Sequence, residues 1–244
     1  MLKLLKYDLR RKRERILVCI VITLLIEIAM WVSSSGMNKE LLAINLSGYA
    51  GLAVAFLFIT FSSYFRNLKS YQRRLLPVTP LQTVLSPVLL AFVLLLIVIA
   101  IGLVHAGLYQ LMYPMDFLPD NIVYVSFRCL LQIMYSVFFL MTMTMFSITA
   151  ALSLRFKRRV WAGVALLTVL QNVTANLEKL IFNINYVGID NSFTFVLYEN
   201  KLRPASGVTI RYLDSNQWPL LFEFAIACLL IYGMTVLVKR RIEV

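Results

Sequence analysis

The chain has 244 residues, of which 60% are apolar and 15% are charged, and its mean hydropathy is +0.79. Soluble globular domains carry about 45–50% apolar and about 25% charged residues, so this chain lacks the polar surface that a protein in water needs. Its net charge of +12 comes from short basic clusters between long apolar runs. That pattern is typical of loops at the inner face of a membrane and not of a nucleic-acid-binding surface. Composition therefore predicts an integral membrane protein without a nucleic-acid partner.

Six apolar runs are long enough to cross a bilayer core, which needs about 20 helical residues. We therefore predict an all-α membrane protein whose residues 1–244 form a single transmembrane domain. The third span is placed after Pro87 because Pro77, Pro80 and Pro87 interrupt the apolar run before it. The outer part of the fourth run is long enough to form a separate interfacial piece. The spans are predicted at 16–31, 41–65, 88–111, 122–154, 160–177 and 218–238.

The distribution of basic residues predicts the orientation of these spans. Segments 1–15, 66–74, 155–159 and 239–241 hold 18 of the 24 Lys and Arg residues. Loops rich in Lys and Arg stay on the cytoplasmic side, so both termini are predicted to be cytoplasmic in a multi-pass protein.

The first 15 residues, MLKLLKYDLRRKRER, place Leu2, Leu5 and Leu9 on one side of a helix bordered by basic residues. Such a helix suits the anionic inner leaflet, and we predict an N-terminal amphipathic interfacial helix over residues 1–15. It is either a basic anchor alone or a surface helix that also contacts a partner. We expect the segment to be retained, since no A-x-A-like cleavage site follows it.

A small outer segment, residues 178–217, is predicted between the fifth and sixth spans. Its two β-like runs, 193–198 and 208–213, favour a hairpin-like cap. We expect the fifth helix to end before Glu178.

The segment between the second and third spans, residues 66–87, carries a basic patch followed by LLPVTPLQTVLSPVLL. Thr79 is a good N-cap, and Pro80 suits the first position of a helix. A short helix held between two spans at the inner face can transmit a push from a cytoplasmic partner. The simpler interpretation is a proline-rich turn that only starts the third span.

The pattern LLPVTPLQTVLSPVLL resembles the inner loop of permease subunits of type-2 ABC exporters, and the opening LLKYDLRR resembles the start of the same subunits. Six spans, inner termini and an outer segment before the last span are similar to that family over the whole chain. Many relatives carry a basic residue where this chain has Ser86 and Pro87, so the match is not complete at that point.

The resemblance implies a permease subunit of an ATP-driven exporter in the cell membrane of a bacterium, coupled to a separate ATP-binding cassette subunit that holds ATP and Mg. Consistently, the chain has no GxxxxGK[ST] phosphate loop and is not expected to be an enzyme or to hold a cofactor. A second permease copy or a related permease would complete the pore, in contact with membrane lipids. The short outer segment and the Met-rich fourth span favour peptides or amphipathic compounds as substrates. The resemblance places the contact with the ATP-binding subunit at Leu75, Leu76, Pro77, Val78, Thr79, Pro80, Leu81 and Gln82.

Four ionisable residues on four spans are predicted to lie at a similar depth, roughly 8–9 Å inside the outer interface at 1.5 Å per helical residue. They are Glu27, His105, Arg128 and Glu223. An unpaired charge in hydrocarbon is costly, so these groups should face the bundle interior and pair. We predict that Arg128 bridges Glu27 or Glu223 with His105 nearby, as an outer gate or as a static pair that fixes helix packing.

Two other classes of protein are weighed against the exporter. An intramembrane enzyme is disfavoured because the sequence lacks a GxSx serine with a histidine partner, an HExxH motif and clustered Asp residues. No metal site is predicted, since the three cysteines lie in apolar runs without a CxxC pair. A six-span substrate-binding subunit of a vitamin-type importer remains the alternative, and the outer ionisable layer favours it.

Overall fold

The structure is a computed structural model of the chain. It describes residues 2–33, 39–69, 79–112, 122–153, 159–183, 193–198, 207–212 and 217–239, and all structural statements below refer to these residues.

Six helices form the described part of the chain apart from one hairpin. The shortest has 21 residues and so measures about 32 Å, slightly more than a bilayer core. All six are long and apolar enough to cross a membrane, which agrees with the predicted helical fold and span number. Their bounds are α1 Leu2–Ser33, α2 Lys39–Lys69, α3 Pro80–Met112, α4 Ile122–Ser153, α5 Arg159–Phe182 and α6 Gln217–Leu237.

The hairpin lies between α5 and α6. Its strands, β1 Phe193–Tyr198 and β2 Gly207–Tyr212, pair antiparallel with Phe193 opposite Tyr212. The first strand has the predicted bounds, and the second begins and ends one residue earlier than predicted.

The largest differences from the sequence prediction are at the starts of the first and third helices. The described residues of the predicted segment 1–15 are not a separate element, because α1 runs without a break from Leu2 to Ser33. The third helix begins at Pro80 and not at residue 88, with Pro87 inside it. A proline in the second turn removes one backbone hydrogen bond, which spanning helices tolerate.

The fifth helix also continues five residues beyond its predicted end. Glu178 and Lys179 lie within α5, which ends at Phe182. Asn183 then takes a positive φ of 54°, and its N–H donates to the carbonyl of Lys179. A left-handed residue with this bond is a common helix C-terminus, and asparagine tolerates it better than most residues.

The chain divides into two compact units, Met1–Met115 and Asp116–Val244, called unit 1 and unit 2 below. Unit 1 contains α1 to α3, which share an apolar core. Leu5 and Leu9 near the start of α1 belong to this core together with residues of α2 and α3, which is why α1 continues to its N-terminal end as one helix. The buried members are Leu5, Ile16, Leu52, Phe56, Leu90, Leu94 and Val98.

Unit 2 contains α4 to α6 and the hairpin. Its apolar core joins Phe139 and Met143 of α4 to Ala227 and Leu230 of α6, with side chains of α5 against it. Large apolar side chains on the outer faces of both units remain exposed, as expected where helices face lipid tails and not water.

Candidate functional site

The first turn of α3 is closed by a reciprocal cap. The N–H of Gln82 donates to the Thr79 hydroxyl over 3.4 Å, and the N–H of Thr79 donates to Gln82 Oε1 over the same distance. This Thr-x-x-Gln arrangement is a capping box, which satisfies two backbone donors at a helix start. The predicted N-cap role of Thr79 is confirmed, and the sequence analysis had missed the part that Gln82 plays.

Exposure changes sharply along the start of α3. Thr79 is exposed and Leu81 is 47% exposed, whereas Val84 and Ser86 are fully buried in unit 1. The helix therefore presents a rigid first turn with an apolar side chain outside the bundle, while its second turn is held inside. Leu75, Leu76, Pro77 and Val78 of the predicted interface lie outside the described residues.

The same end of unit 1 is strongly basic. Lys12 of α1 lies close enough to Arg11, Arg15 and Arg66 to feel their charges, with Asp8 as the neighbouring acidic group. Asp8 and Lys12 are both buried in the unit. The N-terminal part of α1 and the C-terminal part of α2 thus bring their charges to one region of unit 1.

A polar cluster joins the three helices of unit 1, with one residue from each. Glu27 is on α1, Tyr49 on α2 and His105 on α3. The Tyr49 hydroxyl lies 2.6 Å from His105 Nδ1. The same nitrogen lies 3.8 Å from Glu27 Oε2, too far for a hydrogen bond but close for two groups of opposite charge.

Aromatic rings pack against this cluster. The His105 ring centroid lies 4.8 Å from that of Tyr109, 5.8 Å from that of Tyr49 and 6.3 Å from that of Trp31. Trp31 and Tyr109 also contact each other, with ring centroids 5.3 Å apart. The imidazole is therefore surrounded by three aromatic rings and one carboxyl group.

The backbone of α2 approaches the Glu27 carboxyl closely at Gly48. A Cβ atom at position 48 would lie 2.6 Å from Glu27 Oε1. Because real Cβ atoms do not approach other atoms so closely, only glycine leaves this carboxyl group where it is. Neither oxygen of Glu27 accepts a hydrogen bond from any described residue.

A second polar cluster lies in unit 2, again with one residue from each helix. Tyr135 is on α4, Glu178 on α5 and Glu223 on α6, and both glutamates are buried. The Tyr135 hydroxyl donates to the carbonyl of Leu220, one turn before Glu223. The two carboxyl groups lie close enough for each to feel the other's charge. Neither oxygen of Glu178 accepts a hydrogen bond from any described residue.

The structure thus brings Glu27 and His105 together in unit 1 and places Glu223 in the cluster of unit 2. Arg128 of α4 lies over the ring of Tyr124, with its guanidinium carbon 5.2 Å from the ring centroid. The predicted bridge from Arg128 to Glu27 or Glu223 stays a prediction.

Sequence reasoning missed three members of these clusters: Tyr49, Tyr135 and Glu178. The two tyrosines lie inside otherwise apolar runs, where a hydroxyl needs a partner, and this was the available signal. Glu178 was placed beyond the fifth span because a charged residue next to Lys179 resembled a helix end.

Comparison with known proteins gave no match among family models, curated proteins or solved structures. The class is therefore defined by the chain itself: the described residues form six helices long and apolar enough to cross a membrane, which is compatible with a multi-pass membrane protein. Within the described ranges, no group of three or more His, Cys, Asp or Glu side chains could hold a metal ion.

Proposed function

We propose that this chain is the permease subunit of an ATP-driven exporter and that it couples to a separate ATP-binding cassette subunit. The observation that carries the proposal is the first turn of α3, which is capped by Thr79 and Gln82 and presents an exposed Leu81. A capped turn at the basic end of unit 1 leaves the Leu81 side chain available for contact with a docking protein.

The geometry also favours transmission of force through this turn. A partner that moves the exposed Leu81 moves a helix whose next turn is fixed in the core of unit 1 at Val84 and Ser86. The basic residues of α1 and α2 near this end favour a cytoplasmic location for it, by the positive-inside rule. ATP and Mg would be bound by the partner, since the chain has no phosphate loop.

In this proposal the six helices form half of a translocation path, and a second copy or a related permease supplies the other half. The protein would lie in the cell membrane of a bacterium with both termini cytoplasmic. Peptides or amphipathic compounds are the proposed substrates. The N-terminal part of α1 is a second contact proposed for the ATP-binding subunit.

The experiment is co-purification from native membranes, followed by identification of bound proteins by mass spectrometry. Leu81→Asp should remove the ATP-binding subunit from the purified complex, because a carboxylate replaces the apolar contact. Leu111→Asp is the matched control, since Leu111 is exposed on the same helix near its other end. Absence of any ATP-binding protein from the wild-type complex, or its full retention by Leu81→Asp, would contradict the proposal.

One observation favours the substrate-binding subunit of an importer as a second candidate. The cluster of Glu27, Tyr49 and His105, in which Glu27 is buried and the other two are partly buried, combines polar groups with aromatic rings, as small-molecule sites do. The same purification separates the two candidates. An importer subunit should carry a tightly bound, vitamin-like small molecule, and an exporter permease should carry its ATPase without one.

A further inference from the structure

The carboxyl group of Glu27 is buried without a hydrogen-bond donor. The residue is 4% exposed, and no described residue donates a hydrogen bond to either oxygen. Moving a carboxylate out of water is costly unless donors or a cation replace its hydration. The group therefore needs either a proton of its own or a positively charged partner.

His105 is placed to be that partner. Its Nδ1 atom lies 3.8 Å from Glu27 Oε2, and 13% of the His105 side-chain surface is exposed. The surrounding rings of Trp31, Tyr49 and Tyr109 favour a cation, because aromatic π-systems attract positive charge. Among the described residues, the titratable groups against this imidazole are Glu27 from α1, Tyr49 from α2 and Tyr109 from α3 itself.

The hydrogen bond between Tyr49 and His105 changes direction with the protonation of Nδ1. When the Tyr49 hydroxyl donates to Nδ1 over 2.6 Å, that nitrogen must be without a proton. When Nδ1 carries a proton, it becomes a donor, either to the Tyr49 hydroxyl oxygen over the same 2.6 Å or to the oppositely charged Glu27 carboxylate. A small rotation that closes the gap of 3.8 Å would complete the bond to Glu27.

We propose that Glu27 and His105 together form a binding site for one proton in unit 1. The hydrogen bond made by Tyr49 depends on which of the two groups carries that proton. Uptake of a proton from water adds it to a lone pair of the carboxylate or of Nδ1, and the charge of the pair changes from −1 to 0. With the proton on Glu27, the imidazole is neutral and bonded to α2 through Tyr49. With the proton on His105, the imidazolium forms an ion pair with Glu27 of α1, and the Tyr49 oxygen can accept from Nδ1.

This inference goes beyond the transport role and does not rest on it. The location of one proton decides whether the imidazole of α3 forms an ion pair with Glu27 of α1, while its link to Tyr49 of α2 can persist in either state.

The test uses the fact that His105 is the only histidine in the chain. Full-length protein labelled with ¹⁵N-histidine, in nanodiscs of phosphatidylcholine, gives one Nδ1 and one Nε2 resonance, which report charge and tautomer. Spectra are recorded between about pH 5 and pH 9, the range in which imidazoles titrate. We expect a single protonation step in the wild type. In Glu27→Gln, the ratio of charged to neutral imidazole should fall at least about tenfold at matched pH.

The control variant is Glu14→Gln, an exposed glutamate on the same helix that should leave the spectra unchanged. Tyr49→Phe is a second variant that keeps both acid–base groups. It should remove the preference of the neutral ring for the Nε2–H tautomer, even if Glu27→Gln does not fold. The proposal is overturned if His105 titrates identically in wild type and Glu27→Gln, if it does not titrate at all, or if Tyr49→Phe leaves the tautomer unchanged.

Discussion

The substitution Gly48→Ala is the sharpest test of the polar cluster of Glu27, Tyr49 and His105 in unit 1. The added Cβ would lie 2.6 Å from Glu27 Oε1, so the carboxyl group must retreat by about 0.4 Å or more to reach a tolerable contact. Its displacement also changes the distance to His105, which is 3.8 Å in the native structure. The substitution therefore perturbs the site without removing any of its functional groups.

The expected change in the free energy of unfolding follows from two opposing effects. Alanine in place of glycine inside a helix gains about 1 kcal/mol of conformational free energy. Overpacking costs about 1–3 kcal/mol, and the low end applies here because the clashing atom is the end of the flexible Glu27 side chain. Gly51→Ala is the matched control, because a Cβ at position 51 has no neighbour within 4 Å. Gly48→Ala should therefore be less stable than Gly51→Ala by about 1 kcal/mol.

The assay is reversible unfolding in mixed micelles, with the free energy of unfolding compared between the two alanine variants. The same pair is then measured in a Glu27→Ala background, where no carboxyl group remains to clash. The difference between the variants should shrink to below about 0.5 kcal/mol, because the coupling is between residues 27 and 48. Equal stability of Gly48→Ala and Gly51→Ala in the wild-type background would refute the close approach on which the cluster depends.

Three further outcomes are expected. Thr79→Ala removes one half of the capping box and should lower the local stability of the first turn of α3 by about 1 kcal/mol. Hydrogen exchange at the amides of Gln82 and Thr83 should then be faster. Unchanged exchange would contradict the cap. Tyr135→Phe removes the hydroxyl's hydrogen bond to the Leu220 carbonyl, which keeps its helical bond in α6, and should lower the free energy of unfolding by about 1 kcal/mol. Tyr232→Phe, at an exposed position, should leave it within about 0.5 kcal/mol. Equal effects of the two tyrosine variants would show that the unit 2 hydroxyl has no structural role.

The number of spans follows from the sequence because it depends on one physical quantity, the length of apolar chain that fills a bilayer. The start of α3 was also partly predictable, since Thr79 and Pro80 are residue types that suit a helix beginning. The error at Pro87 has a simple cause. A proline that would end a helix in water is accepted inside a spanning helix, where the surrounding bundle fixes the backbone.

The polar clusters were only half predictable. Depth along each span identified Glu27, His105 and Glu223 as buried groups that need partners. The depth of a residue along its span does not tell in which direction its side chain points around the helix axis. Depth could therefore not show that Tyr49 faces His105. Packing decides the direction in which a side chain points, and packing depends on residues far apart in the sequence.

The most direct measurement of the central claim is photo-crosslinking from position 81 in native membranes. A photoreactive amino acid replaces Leu81 at the exposed first turn of α3, and the same residue at Leu111 serves as control. The proposal predicts that position 81 crosslinks to a subunit that binds ATP and that position 111 does not. Efficient crosslinking of position 81 only to lipid or to other proteins would contradict the assignment of this chain as an ATP-coupled permease.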